Sequence, residues 1–192
     1  LPNEVLSQGE YDNCLDRVRA HLDDLEAGIV PLHATKIIVL GNGRVGKTQL
    51  CRRLRGLDFD PNIPSTHGIT IAHANFDGDD FLSLWDFGGQ DIYHGVHALF
   101  MRTRAIFVIA WQPEMEASPT HTFEGLTFHN HPLIYWLEFV RAMGAAGSPI
   151  IVVQCQCEQR RDEARTLPVD PGALASLDVI TVAYSASTNR GR

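Results

Sequence analysis

Hydrophobic positions along this chain gather into short unbroken runs separated by polar, glycine-bearing turns. KIIVL (36–40), AIFVIAW (105–111) and PIIVVQC (149–155) are continuous apolar stretches, the pattern of strands buried on both faces. ITIAHANF (69–76) and DFLSLWDF (80–87) flank Asp77-Gly78, which predicts a hairpin, and DVITVAYSA (178–186) predicts a last strand. Helical spacing appears in KTQLCRRLRG (47–56) and LIYWLEFVRAMG (133–144). Earlier in the chain, residues 11–28 set Leu15, Val18, Leu22 and Leu25 on one helical stripe and stop at Gly28, predicting a short packing helix. Strands alternating with helices imply an α/β fold, with a mostly parallel sheet covered on both faces. Such sheets bind ligands at the carboxyl ends of their strands, so the chemistry is expected just after each apolar run.

Composition narrows the function classes. The 192 residues are 44% apolar and 20% charged, ordinary for a globular domain, and a net charge of −7 argues against a nucleic-acid partner or an anionic membrane surface. No apolar run approaches the roughly 20 residues of a membrane span, so direct insertion is not expected. Cys14, Cys51, Cys155 and Cys157 show no disulfide-framework spacing and no signal peptide opens the chain, so reduced thiols and a cytoplasmic location are expected. The first residue is Leu1 and not Met, which reads as a piece of something larger.

Directly after KIIVL stands GNGRVGKT (41–48), which matches G-x-x-x-x-G-K-[ST] between a buried strand and a helix. Glycines let such a loop wrap closely, so that its amides point at phosphate oxygens and the following helix directs its positive end at the same spot. Gly41, Asn42, Gly43, Arg44, Val45, Gly46, Lys47, Thr48 and Gln49 are the expected phosphate-binding residues. Lys47 supplies a charge for the terminal phosphates, and the Thr48 hydroxyl is placed to ligate Mg²⁺. The third strand ends in WDFGGQ (85–90), where Asp86 is expected to hold Mg²⁺, Gly89 to offer its amide to a γ-phosphate, and Gln90 to orient water.

D-x-x-G-Q after a phosphate loop resembles the Ras-like small GTPases. The likeness puts Thr66, within PSTHGIT, at the switch threonine that closes on Mg²⁺ and the γ-phosphate. DFGGQDIYHGVHALFM, HPLIYWLEFVRAMG and SPIIVVQ narrow it further, since they resemble the Roc domain of the Roco proteins over about residues 34–188. That resemblance implies a Ras-like P-loop GTPase fold of about six strands over residues 34–192, with residues 1–30 a helical linking segment. It also implies a final covering helix beyond YSAST that a chain ending at Arg192 lacks. By the same resemblance, the substrate and product are GTP and GDP with Mg²⁺, and hydrolysis is slow in isolation. A leucine-rich-repeat region would adjoin the domain, and a following COR domain would make it a homodimer. An arginine from the paired protomer would then add charge, with Arg104 and its neighbour Arg102 the candidates.

The family's base-reading loop, N-K-x-D, falls on QCQCE (154–158), with Cys155 at the Asn, Gln156 at the Lys and Glu158 at the Asp. Glu158 still offers two oxygens to guanine, but a thiol is a poor substitute for an amide, so guanine binding with reduced affinity is expected. Ser185 and Ala186 fall at the last base-contacting loop. Rival readings of the two cysteines are a zinc site completed by His121, His129 or His131, and a redox dithiol, although their spacing suits neither. His67 and His94 lie in the two switch stretches, where each is a candidate to place water or is a surface residue. Residues 112–132 are long for a strand-to-helix connection and are expected to be disordered or an interaction loop. From another class comes a rival function: a nucleotide-stabilised scaffold for dimerisation with little turnover. An ATP-binding protein is a third reading, opposed by Glu158, whose carboxylate would repel N1 of adenine.

Overall fold

The computed structural model describes residues 19, 22–23, 34–66, 68–77, 80–89, 100–123, 125–164, 166–170, 172 and 177–191. Residues 1–33 and 34–192 form separate compact units. In the first, Arg19, Leu22 and Asp23 are helical, and the rest of the helix expected at 11–28 lies outside the described residues.

The second unit runs β1 (Ala34–Leu40), α1 (Lys47–Leu54), β2 (Ile69–Asp77), β3 (Asp80–Phe87), β4 (Ile106–Trp111), α2 (Glu114–Ala117), β5 (Thr120–Phe123), β6 (Leu126–His129), α3 (Leu133–Met143), β7 (Ile150–Gln154) and β8 (Val179–Ala183). Six strands form one sheet in the order β2-β3-β1-β4-β7-β8, in which only the β2–β3 pair is antiparallel. This is the Ras-like α/β architecture expected from the sequence. The β2–β3 register shifts between Asn75 and Asp77, and the turn at Gly78 lies outside the described residues.

Period-2 alternation explains the layers. Ile38 and Leu40 of β1, with Phe107, Ile109, Ile150 and Val152, face Leu133, Trp136, Leu137 and Val140 of α3. Ile37 and Val39 point the other way, with Val108 and Val153, onto Leu50 and Cys51 of α1. Burying such a side chain fully is worth about 1.5–3 kcal/mol, so a central strand apolar on both faces gains from two helical layers at once.

Of the two alternatives for residues 112–132, disorder does not fit the described residues. They form α2 and a separate two-stranded sheet, with Thr120 opposite His129 and His121 opposite Phe128. Gly125, at φ 78°, sits in the two-residue turn between β5 and β6. An isolated hairpin is marginal in water. This one is fastened at its base, where the Asn130 amide donates to Pro119 O (2.8 Å) and Asn130 Nδ2 donates to Ser118 O (2.7 Å).

Candidate functional site

At the end of β1 the chain turns over Gly41, whose φ of 133° is open to glycine and little else. A Cβ there would lie 2.2 Å from the Ala110 carbonyl oxygen of β4, so the loop can hug the sheet only without a side chain. Lys47 opens α1 and is 5% exposed. Its Nζ donates to Gly41 O (2.9 Å) and Asn42 O (2.7 Å), which curls the loop around its own ammonium. Burial pushes the Lys47 pKa down, while nearby Asp86, then Cys155 and Cys51, pull it back.

Thr48, Thr66 and Asp86 meet beside it. Thr48 Oγ1 donates to Asp86 Oδ2 (2.6 Å), Thr66 Oγ1 donates to the same oxygen (2.9 Å), and the two hydroxyl oxygens are 2.8 Å apart. Two hydroxyl protons serve three close approaches, so one oxygen pair lacks a bridging hydrogen. Oxygens octahedrally disposed around Mg²⁺ at about 2.0–2.1 Å also sit about 2.9 Å from one another. Asp86 is 3% exposed, and its Oδ1 is buried with no hydrogen-bond partner among the described residues. Desolvation pushes its carboxyl pKa up, opposed by Lys47 and by the two threonine hydroxyls. Hard oxygens around a poorly satisfied buried carboxylate are the donor set a small divalent cation takes, so these residues fit Mg²⁺.

Thr66 reaches this cluster because the loop before it is tied to α1. Gln49 Nε2 donates to Asp60 O, and the Asp60 amide donates back to Gln49 Oε1. Arg52 holds Asp58 O, and the Arg53 guanidinium pairs with the Asp58 carboxylate (2.9 Å) and donates to Ala186 O. Opposite, Gly89 lies against the phosphate loop, where a Cβ would stand 2.5 Å from the Gly43 nitrogen. Gln90, His67 and His94 lie outside the described residues.

The far end of the cleft is made by the loops after β7 and β8. Cys155 is buried, its amide donates to Trp111 O (2.8 Å), and its Sγ lies 3.8 Å from where a Cβ on Gly46 would be. Desolvation pushes its thiol up to about 12, with Lys47 pulling it down and Cys157 adding to the rise, so Cys155 is a neutral packing group and not a thiolate. Cys157 is buried as well, and desolvation raises its thiol too. Among the described residues no group of three or more His, Cys, Asp or Glu side chains is arranged to hold a metal. Gln156 turns through φ 61° and donates to Arg44 O (3.4 Å). Glu158 stands exposed at the rim, where the Ser187 hydroxyl donates to it (2.7 Å) and itself lies 3.0 Å from Ser185 Oγ.

These groups share one cleft of about 370 Å³. Of the residues expected at the site, Gly43, Arg44, Gly46, Lys47, Thr48, Gln49, Thr66, Gly89, Cys155, Gln156, Glu158, Ser185 and Ala186 line it. Gly41, Asn42, Val45 and Asp86 are buried around it. Arg104 is elsewhere: it precedes β4, which runs parallel to β1, so it lies at the opposite end of the sheet, roughly 20 Å away at 3.3 Å per residue.

Sequence reasoning missed the part played by residues 112–132. Asn42 turns its side chain toward that segment: Nδ2 donates to His131 O (2.8 Å), while Oδ1 accepts from the His131 amide (2.9 Å) and from Trp136 Nε1 (3.2 Å). Asn42 is therefore the clamp between phosphate loop, hairpin and α3. Asn42→Ala is expected to lower unfolding free energy by about 1–3 kcal/mol, since it removes three hydrogen bonds, one of them buried. Urea denaturation of the ligand-free protein measures this, and a loss under about 1 kcal/mol contradicts the clamp. The hairpin's anchoring sets His121 and Phe128 in the cleft wall. The available signal was the β-branched and aromatic run THTF-EG-LTFH, a two-strand pattern around a glycine turn.

The geometry agrees with known relatives. A sequence profile described as Ras of Complex, Roc, domain of DAPkinase matches residues 36–158. A Roc-COR-CHAT protease from an unknown prokaryotic organism is 29% identical over 184 residues, covering 84% of this chain and 16% of that protein. The mouse Ras-related protein Rab-34 is 32% identical over 114 residues, covering 58% of this chain and 44% of Rab-34. Among solved structures, Methanosarcina barkeri Roco2 RocCORdC bound to GDP superposes with a TM-score of 0.63 at 26% identity, covering 84% of this chain and 46% of that one. The chain thus spans less than half the length of each of these relatives. Because the profile runs from the first core strand to the carboxylate at the cleft rim, more than half of its length, the chain belongs to the Roc family of Ras-like GTPase domains.

Proposed function

We propose that the chain binds guanine nucleotides and slowly hydrolyses GTP to GDP and phosphate, as the switch domain of a larger Roco-type protein. The observation that carries this reading is the Thr48–Thr66–Asp86 cluster, in which a loop residue is drawn across the cleft to the two positions that would share a metal with a terminal phosphate. A terminal phosphate sharing a metal with these three side chains would add to the closure of Thr66, while the contacts of Gln49, Arg52 and Arg53 hold the stem of its loop on α1.

In this reading Mg²⁺ would be held by Thr48, Thr66 and Asp86, and it supplies charge neutralisation of the phosphates. Lys47 and the loop amides bind and orient the polyphosphate, and Gly89 offers its amide to the terminal phosphate. Gln90 is the residue assigned to place the attacking water. Glu158 and the loop at Ser185 and Ala186 read the base, with Cys155 packing beneath the phosphate loop. The chemistry is positioning plus electrostatic stabilisation, worth most where water is excluded.

The two Roc-COR relatives make a COR module the proposed neighbour in the full protein, with dimerisation through it and Arg102 or Arg104 supplied across the dimer. A leucine-rich-repeat region on the other side and a cytoplasmic location complete the proposal. No helix among the described residues is long and apolar enough to cross a membrane. The nucleotide-stabilised scaffold remains the second reading, favoured by the neutral thiol of Cys155 where the family carries an amide.

Titrating GDP, GTP and ATP in Mg²⁺ and following phosphate release in single turnover tests both. Guanine nucleotides are expected to bind at least tenfold more tightly than ATP, with slow release of phosphate from GTP. Equal ATP affinity would remove the base-reading role of Glu158, and tight binding with no release would select the scaffold.

A further inference from the structure

The β5–β6 hairpin carries a side chain into the cleft that the reading above does not use. His121 lies opposite Phe128, their ring centroids 5.5 Å apart, and both rings line the cleft wall. The imidazole edge stands over the phosphate loop: Cε1 and Nε2 are each 3.3 Å from where a Cβ on Gly43 would be. Gly43 is also the residue against which Gly89 packs, and Lys47 Nζ holds the two carbonyls just before it. This is the phosphate end of the cleft, remote from Glu158 and Ser187 at the base-reading end.

Hydrogen bonding fixes the ring's orientation and puts a hydrogen on Nδ1. Nδ1 is 2.7 Å from Asn130 Oδ1, and the Asn130 amide nitrogen is committed to Ser118 O at 2.7 Å. Asn130 therefore presents its oxygen, an acceptor, so Nδ1 must carry a hydrogen. That leaves Nε2 as the free functional atom, turned toward Gly43, and it has no hydrogen-bond partner among the described residues. The stage beneath it is rigid, since Asn42 clamps the foot of the hairpin to the phosphate loop. An aromatic nitrogen held this firmly over the glycine of a phosphate loop is placed for a ligand.

We propose that His121 is a catalytic residue for the terminal phosphate: a bound nucleoside triphosphate draws a proton from solvent onto the free Nε2, and Nε2–H then donates to a non-bridging oxygen of the γ-phosphate. The proposal rests on the GTPase reading and adds to it a cationic contact supplied by the same chain. In hydrolysis, a water oxygen forms a bond to the γ-phosphorus as the bond to the β–γ bridging oxygen breaks, and that electron pair leaves with GDP. The water proton leaves with the released phosphate. His121 keeps both of its protons, and its hydrogen bond strengthens as charge develops on the phosphoryl oxygens. A diphosphate lacks the oxygen that Nε2 meets, so the contact also discriminates GTP from GDP.

The test uses the whole chain with Mg²⁺, GDP, and guanosine 5′-(β,γ-imido)triphosphate as the non-hydrolysed probe. His121→Phe keeps the ring against Phe128 and removes the donor, while His121→Arg restores a charged donor on a longer stem. His121→Phe is expected to leave GDP affinity within about twofold. The imido-triphosphate should bind about tenfold to a hundredfold more weakly, the span of a hydrogen bond to a charged group. Single-turnover hydrolysis should slow about tenfold or more, with His121→Arg recovering most of the loss. If wild-type protein binds both nucleotides and His121→Phe preserves both their affinity ratio and the hydrolysis rate, the role of His121 is overturned and the GTPase reading stands. If wild-type protein binds neither, the reading itself falls and the proposal with it. Should His121→Phe fail to fold, His121→Gln, which keeps a neutral donor at similar reach, is expected to give an intermediate ratio. An unchanged ratio in that variant overturns the proposal equally.

Discussion

Lys47→Ala is expected to weaken GTP and GDP binding by at least a hundredfold and to reduce phosphate release to background, while the ligand-free protein stays folded. The separation follows from where the ammonium sits. It is nearly buried and donates to Gly41 O and Asn42 O, so in the empty protein it offsets a desolvation cost that the substitution also removes. Net stability should therefore shift by no more than about 1–2 kcal/mol. With nucleotide present the balance changes, because the same ammonium would give charge-assisted bonds to phosphate, each worth about 1.5–3 kcal/mol. Two such bonds amount to about 3–6 kcal/mol, or more than two decades of affinity. Calorimetric titration alongside thermal unfolding of the empty protein separates the two quantities. Near-normal binding by a folded Lys47→Ala protein would mean that the phosphates lie elsewhere.

Gly41→Ala is expected to cost about 3–5 kcal/mol of folding free energy, whereas Gly56→Ala, a left-handed glycine at the end of α1, costs about 1–2 kcal/mol. Both residues have positive φ, but the 76° of Gly56 lies near the left-handed region that other residues reach and the 133° of Gly41 lies beyond it, so backbone strain already weighs more on Gly41. Surroundings separate them further. A Cβ on Gly56 would meet nothing within 4 Å, but on Gly41 it would drive into the Ala110 carbonyl at 2.2 Å. Ala110 is paired with Val153 of β7 and follows Ile109, the partner of Leu40 in β1, so relief requires parting β1 from β4 at the point where the phosphate loop begins. Urea unfolding of the two variants side by side measures the difference, and equal losses would show that the contact is relieved cheaply. Since domains of this size are stable by only about 5–15 kcal/mol, the larger value is a substantial share of the total.

Particular residues show what could be read in advance. The runs 36–40, 105–111 and 149–155 became β1, β4 and β7 to within two residues at each end, because a strand apolar on both faces has few places to go except the middle of a covered sheet. The phosphate loop was equally legible, since its glycines and lysine are demanded by local geometry. The hairpin at 120–129 was not, because two four-residue strands have no stability of their own and exist here by virtue of Asn42, Asn130 and Trp136. Arg104 drew attention as a charge near a switch-like stretch, yet strand direction sets it at the opposite end of the sheet from the cleft.

By itself, then, the sequence determined the alternation of strands and helices, the loop that encloses Lys47, and the family to which the chain belongs. These depend on contacts within a few residues and on burial that periodicity records. Tertiary structure alone decided that Thr66 crosses to Thr48 and Asp86, that Cys155 packs under Gly46 as a neutral thiol, and that His121 is held over Gly43. Each of those joins residues from 18 to more than 100 positions apart, and such a meeting is set by strand order, hairpin docking and side-chain hydrogen bonds that no local pattern encodes.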